Sequence, residues 1–268
     1  MLEKLILNDR VAVVTGGTGG LGGAISLALA QAGANVIVSG RRKEAGERTV
    51  AEVKKTGREA IFVQTDVTKT NEVNNLMAKS IAQWGKVDIL ANCAGIVKTE
   101  TGESTSIAQK PLWEMTDEEW RAGIDTNLSG AFFCTRAISK HMADRRSGRI
   151  INISSGFGYR GLKNAYMYTA AKAGLNILTM TLSLTLAEYG INVNGIAPGL
   201  FRTYGAQERY DNQAKYIPMM YVGESSEIGE LAVYLASDAS SYVTGETFII
   251  DGGALANGAA PTGYVPTM

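Results

Sequence analysis

A doubly wound α/β fold, with a seven-stranded parallel sheet and helices on both faces, is predicted by three features of the sequence. Short β-branched runs alternate with helix-length segments almost from end to end, the runs are apolar throughout rather than at every second residue, and no linker divides the chain. Uniformly apolar strands belong to sheets covered on both faces, and parallel neighbours require crossover helices. The expected strands are "VAVVT" (11–15), "NVIVS" (35–39), "AIFVQ" (60–64), "VDILA" (87–91), "RIINIS" (149–154), "INVNGIA" (191–197) and "TFIID" (247–251). Between them, helices are expected over 20–32, 43–56, 70–84, 117–145, 165–189 and 226–236. We expect one domain over residues 1–268, ending in a Gly/Pro/Ala-rich tail at 254–268. Two stretches break the rhythm, 97–111 and 203–224, each following the carboxyl end of a strand. Ligands bind at those ends in such sheets, so both are candidate substrate walls; for the first, a plain surface loop is an equal reading.

Composition narrows the function. The 26 basic and 26 acidic residues cancel, which gives no global attraction to nucleic acid or an anionic membrane. No apolar run approaches the roughly eighteen residues of a membrane span, and "MLEKLILNDR" lacks the pattern of a signal peptide. Cys93 and Cys134 lie in apolar segments, so neither a disulfide framework nor a metal site is expected. His141, in "RAISKHMADRR", reads as a helix-surface residue rather than a base. A cytoplasmic protein is expected.

The stretch "TGGTGGLGG" (15–23) joins the first strand to the first helix and fits three glycine spacings at once. A glycine turn there brings backbone N–H groups up to a pyrophosphate at the positive end of the helix. After the second strand comes "SGRRK": Gly40 stands where a carboxylate would bond the ribose 2′-hydroxyl of NAD, and Arg41 and Arg42 follow. Guanidinium groups suit a 2′-phosphate. NADP(H) is therefore favoured over NAD(H), the alternative being two solvated arginines at a helix start.

Acid–base chemistry points to "INISSGFGYRGLKNAYMYTAAKAG" (151–174). A tyrosine four residues before a lysine on a helix shares a face with it, and the cation favours the phenolate. Tyr159 and Lys163 have this spacing but lie among Gly156, Gly158 and Gly161, whereas Tyr168 and Lys172 sit on an unbroken helical run. The second pair is the candidate.

With these motifs in order, the chain from Asp9 to Gly253 resembles the short-chain dehydrogenase/reductase family in its compact single-domain form. Thr15, Gly16, Gly20 and Gly22 match its T-G-x-x-x-G-x-G loop, with Gly17, Thr18 and Leu21 between them. The resemblance implies cofactor contacts at that loop, at Asp66 and Val67, at Asn92, Ala94 and Gly95 in "NCAG", at Lys172, and at Pro198, Gly199, Leu200 and Thr203 in "PGLFRT". It implies a catalytic set of Asn127, Ser155, Tyr168 and Lys172, with Ser154 as the alternative serine. In that set Tyr168 exchanges a proton with the substrate oxygen, Ser155 orients the oxygen, Lys172 lowers the tyrosine pKa and holds the ribose, and Asn127 holds a water. The T-G-x-x-G-x-x-G spacing belongs to an extended branch with a larger C-terminal domain, for which this chain leaves no room. Departures from the pattern are Cys93 for the second asparagine of N-N-A-G, a glycine loop without a basic residue, and Tyr221 in place of an arginine.

The expected activity is an NADP-dependent interconversion of a ketone and a secondary alcohol on a small molecule. Substrates weighed are 3-oxoacyl thioesters, docked through Arg145, Arg146, Arg149, Arg160 and Lys163, and sugars, polyols or sugar acids, which would also suit NAD(H). Trp113, Phe157, Tyr159, Tyr166 and Tyr204 are candidates for an aromatic wall. A non-catalytic nucleotide-binding scaffold is the alternative from another class. The resemblance also implies a homo-oligomer, a tetramer or a dimer.

Overall fold

The computed structural model describes residues 2–96, 111–203 and 207–258. Seven strands form one parallel sheet in the order β3-β2-β1-β4-β5-β6-β9: β1 Val11–Thr15, β2 Asn35–Gly40, β3 Ala60–Gln64, β4 Ile89–Asn92, β5 Gly148–Ile153, β6 Ile191–Pro198 and β9 Thr247–Ile250. Strand order reverses between β1 and β4, which opens a crevice at their carboxyl ends. The short strands β7 Phe201–Arg202 and β8 Gly223–Glu224 pair separately.

The apolar strands divide their side chains between two cores. Ala12, Val14, Ile89, Ala91, Ile151 and Ile153 face helices α1 (Gly20–Gln31), α2 (Lys43–Lys55) and α8 (Ser225–Ala236) through Ile25, Leu29, Val53, Ile228 and Leu235. Val11, Val13, Leu90 and Ile150 face α3 (Thr70–Trp84), α5 (Gly130–Asp144) and α6 (Tyr166–Leu186) through Leu76, Ile138, Met142 and Leu186. This alternation along each strand is why no polar face appears in the strand sequences.

Helices form where expected, with one difference. The segment expected as a single helix over 117–145 is α4 (Asp117–Ile124), a π-helical turn (Asp125–Ser129) and α5. Asn127 causes the break: its Nδ2 donates to the Gly123 carbonyl at 2.9 Å and to the Ile96 carbonyl at 2.8 Å, and its Oδ1 accepts from the Ile96 N–H at 3.2 Å. Helix α7 (Gln207–Ala214) lies in the stretch between β7 and β8, where Tyr210, Ile217 and Val222 form a separate small core.

A second difference concerns Tyr166–Tyr189, α6 with its 3-10 extension. At mean hydropathy 1.2 it is long and apolar enough to cross a membrane, where the sequence reading expected no such run. In the fold it lies along the sheet and buries Met167, Ala171, Leu175, Thr179 and Leu186, so a third of that apolar stretch is core packing.

At the amino ends of the strands, Asp88 accepts from the Val11 N–H at 2.9 Å and pairs with Arg145 at 2.6 Å. His141 is half-buried beside them, and its Nε2 accepts from the Val87 N–H at 3.3 Å, so it is not the free surface residue that the sequence suggested. Burial, and then Arg145, hold its pKa below 6.5, while Asp88 and Asp144 oppose the shift. The unfolded chain thus takes up this proton first as pH falls. The stability that His141 contributes is complete above pH 6.5 and is lost as pH drops through the folded-state value. His141→Phe should lower the melting temperature by about 3 °C at neutral pH, and the gap to wild type should close on acidification. A gap independent of pH in a calorimetric series would refute this account.

Candidate active site

The crevice at the β1/β4 switch point is a cleft of about 530 Å³. Its floor is the turn between β1 and α1. Gly16 has φ +65°, and a Cβ there would lie 2.8 Å from the Ala94 N and the Cys93 O; a Cβ on Gly22 would collide with the Gly16 carbonyl. The turn is closed so tightly that side chains are excluded, and α1 begins with no side-chain cap on its first N–H groups. Uncapped N–H groups at a helix start, facing a cleft, fit the pyrophosphate of a dinucleotide. Thr15 ties the turn to β4: its hydroxyl donates to the Ala91 carbonyl at 3.4 Å and accepts from the Cys93 and Ala94 N–H groups at 3.2 and 3.3 Å.

Gly16, Thr18, Gly20, Leu21 and Gly22 line this cleft with Arg41, Arg42, Asp66, Val67, Ala94, Gly95, Pro198, Gly199 and Thr203. Gly17, Asn92 and Leu200, also expected to touch cofactor, do not line it. The Gly17 N–H is committed to the Ser39 carbonyl at 3.0 Å, Leu200 packs against the Tyr210–Val222 core, and Asn92 is buried behind the cleft. From there Asn92 Nδ2 donates to Asn152 Oδ1 at 2.9 Å and Thr135 Oγ1 at 3.2 Å. Thr65, Ile96, Thr126 and Ile153 line the cleft without having been singled out. Thr65 and Ile153 stand at the carboxyl ends of β3 and β5, and that position was their legible signal.

At the other end of the cleft, Ser155, Tyr168, Lys172 and Asn127 come together from three elements. Ser155 follows β5 and caps a 3-10 turn, accepting from the Phe157 N–H at 3.2 Å. Ser154 also lines the cleft, but its hydroxyl is committed, donating to the Lys172 carbonyl at 3.1 Å. Burial raises the Tyr168 pKa above 10, and a hydrogen bond with Ser155 opposes it. Lys172 is 5 % exposed, its Nζ donates to the Ile153 carbonyl at 2.8 Å, and it lies 5.7 Å from the Tyr168 ring centre. Burial pulls its pKa down to about 8, against the opposing influence of Cys93. The Cys93 thiol nearby is pushed up to about 12, chiefly by burial, so it stays protonated. Asp66 has a lowered pKa: burial works against its charge, but hydrogen bonds from Thr68 and the charges of Arg41 and Lys69 outweigh it.

Other candidates fall elsewhere. Tyr159 is exposed, with its hydroxyl directed to the Thr247 carbonyl at 3.4 Å, and neither it nor Lys163 lines the cleft. Trp113, Phe157 and Tyr166 do not line it either; Tyr204 and the stretch 97–110 lie outside the described residues. Arg145, Arg146 and Arg149 sit at the opposite end of the sheet, committed to Asp88, the Glu188 carbonyl and Asp238, so they do not form a basic rim at the mouth. Among the described residues no His/Cys/Asp/Glu cluster suits a metal.

A parallel sheet with a glycine turn at its switch point, facing a serine, tyrosine and lysine, defines a class of nucleotide-cofactor oxidoreductases. The family model described as short chain dehydrogenase matches residues 10–214, and the chain belongs to the short-chain dehydrogenase/reductase family of NAD(P)-dependent oxidoreductases. It is 38% identical over 250 residues to a 3-oxoacyl-(acyl-carrier-protein) reductase of Synechocystis sp., covering 92% of this chain and 97% of that protein. It is 39% identical over 255 residues to 3beta-hydroxysteroid dehydrogenase 1 of Eggerthella lenta, covering 92% and 94%. Among solved structures, a short-chain type dehydrogenase/reductase from Mycobacterium marinum superposes with a TM-score of 0.85 at 31% identity, covering 94% of this chain and 98% of that one.

Proposed function

We propose that this chain interconverts a ketone and a secondary alcohol on a small molecule with NADP(H), using Tyr168 as acid and base. The observation that carries this reading is the convergence of Ser155, Tyr168 and Lys172 in the same cleft as the glycine turn. A bound nicotinamide supplies or accepts the hydride and, when oxidised, adds positive charge beside the phenol. Tyr168, with its pKa raised by burial, holds its proton at neutral pH and can give it to a carbonyl oxygen. Ser155 places that oxygen by a second hydrogen bond. In the oxidative direction Tyr168 must first lose its proton, and the Lys172 ammonium favours this by charge, each pKa unit being worth about 1.4 kcal/mol. Asn127 and Lys172 converge over Gly95, whose absent Cβ would lie 2.9 Å from Asn127 Oδ1 and 3.5 Å from Lys172 Nζ. Asn127 there is suited to hold a water serving the lysine.

The NADP(H) preference rests on the end of β2. Arg42 Nη2 donates to Thr18 Oγ1 at 3.4 Å, and the Thr18 methyl fills the space a side chain at Gly40 would need, 2.6 Å from its Cβ position. An acid at 40 would have to displace Thr18, and the guanidinium is already held beside the cleft. NAD(H) acting on a sugar, polyol or sugar acid is the second reading, supported by the absence of a basic residue from the glycine loop. The relatives named for 3-oxoacyl and hydroxysteroid substrates support ketone–alcohol chemistry, and a cytoplasmic location goes with it. We also infer a homo-oligomer. Phe132, Ile177, Met180 and Leu184 leave an exposed apolar face on α5 and α6, around a groove of about 440 Å³, and a second copy of the same face is its natural cover.

Nicotinamide absorbance should change with purified protein, NADPH and a panel of 3-oxoacyl thioesters, 3-oxosteroids and keto sugar acids. Tyr168→Phe should lose about a thousandfold or more in kcat; equal turnover in the variant would reject the assignment. Arg42→Ala should lower kcat/KM for NADPH about tenfold and leave NADH nearly unchanged, and a wild type preferring NADH would overturn the cofactor reading. Light scattering should give the mass of a dimer or tetramer, and Ile177→Asp should shift it towards the monomer. A monomeric wild type would end the assembly reading.

A further inference from the structure

Three consecutive residues at the end of β5 grip α6, and they grip it at Tyr168 and Lys172. The Ile153 carbonyl accepts from Lys172 Nζ at 2.8 Å, the Ser154 hydroxyl donates to the Lys172 backbone carbonyl at 3.1 Å, and Ser155 hydrogen-bonds to Tyr168. Lys172 is thus held at both ends, side chain and main chain, by neighbours on one strand end. Ser154 is itself fixed: it is 3 % exposed, and its N–H donates to the Ile196 carbonyl on β6 at 2.7 Å. The turn that follows closes on the same helix carbonyl, since a Cβ on Gly158 would lie 2.9 Å from the Lys172 oxygen.

These ties differ in what they must do when the cleft is in use. In the proposed mechanism the hydroxyls of Ser155 and Tyr168 turn to the substrate oxygen, and the Lys172 amine turns to the cofactor ribose, so both of their bonds are exchanged. Asn152 holds Thr179 at 2.9 Å, about two helical turns beyond Lys172, and so sets α6 there rather than at its first turns. The Ser154 bond, alone among these, lies at the lysine and engages no group that the chemistry needs. We infer that Ser154 is a positioning residue: its hydroxyl pins the main chain of Lys172 to the end of β5, so that the amine is presented at a fixed place in the cleft while its own partners change. The inference rests on the reading in which Lys172 holds the nicotinamide ribose.

Binding of NADPH, followed by the fluorescence of the reduced nicotinamide, reads the placement of the amine without turnover. NADH carries the same ribose and serves as a parallel probe. Ser154→Ala should weaken binding about fivefold. Ser154→Thr, which keeps the donor, should stay within about twofold of wild type, and Ser154→Cys, a weaker donor of similar size, should fall between. Lys172→Met alone should weaken binding about tenfold or more. Adding Ser154→Ala to Lys172→Met should cost little further, because Ser154 acts through the lysine. Ser240→Ala removes a buried hydroxyl bonded to the Leu235 carbonyl of α8 at 3.1 Å, outside the cleft, and should lower the melting temperature without moving the binding constant. A folded Ser154→Ala that binds as wild type does would overturn the inference, as would an equal loss in Ser240→Ala or a Ser154→Thr as weak as Ser154→Ala. Losses that multiply in the double variant would also overturn it, by making Ser154 a cofactor contact in its own right. Failure of the underlying reading shows separately, as a Lys172→Met that binds both cofactors normally, and the inference falls with it.

Discussion

One line of buried polar side chains ties this structure to its chemistry. Thr15 at the end of β1 binds the backbone beyond β4. Asn92 at the end of β4 reaches Asn152 on β5, and Asn152 Nδ2 reaches Thr179 on α6 at 2.9 Å. These bonds run between carboxyl ends of neighbouring strands and finish on the helix that carries Tyr168 and Lys172. In an apolar sheet interior each such group costs about 1–3 kcal/mol if left unpaired, so the set favours one register strongly over its neighbours. The glycine turn and the serine–tyrosine–lysine group are thus held at a fixed separation by residues that touch neither end of the cleft's chemistry.

The charges in the cleft follow from that rigidity. Lys172 enters a buried site beside the Ile153 carbonyl and the Cys93 thiol, and no carboxylate among the described residues pairs with it. A paired lysine would keep its pKa high and its field cancelled; an unpaired one loses affinity for its proton. The Ile153 carbonyl provides a strong acceptor without charge, and it can do so because β5 ends there, where its backbone is no longer fully used by the ladder. The position of Lys172 depends on a strand end as much as on its own helix.

Strand positions, layer count and most helices were legible because each apolar strand had to serve two cores, and that demand is written in local composition. The competing tyrosine could be set aside because Gly156, Gly158 and Gly161 deny Tyr159 a regular scaffold. What was not legible depends on distant partners. Gly17 and Asn92 occupy motif positions but face inward, since the motif preserves the turn and the sheet junction as well as the cofactor contact. The basic residues Arg145, Arg146 and Arg149 looked available for docking because sequence does not say which end of a strand a flanking charge lies at; the carboxylate of Asp88 and that of Asp238 decide it.

The break between α4 and α5 shows why some of this information cannot be local. Residues 117–144 have no proline, and their two glycines both lie within helix, Gly123 inside α4 and Gly130 at the start of α5. The helix departs from α geometry because Asn127 uses its amide on the Ile96 backbone, 31 residues away, and takes the Gly123 carbonyl with the other hydrogen. Side-chain bonds to backbone compete with helical ones only where a second partner makes the exchange favourable. Here that partner is the chain leaving β4, the same chain that walls the cleft. Asn127 would therefore be a poor helix residue in isolation and becomes a fitting one through the cleft it helps to close, so the local irregularity and the functional position have a single physical cause.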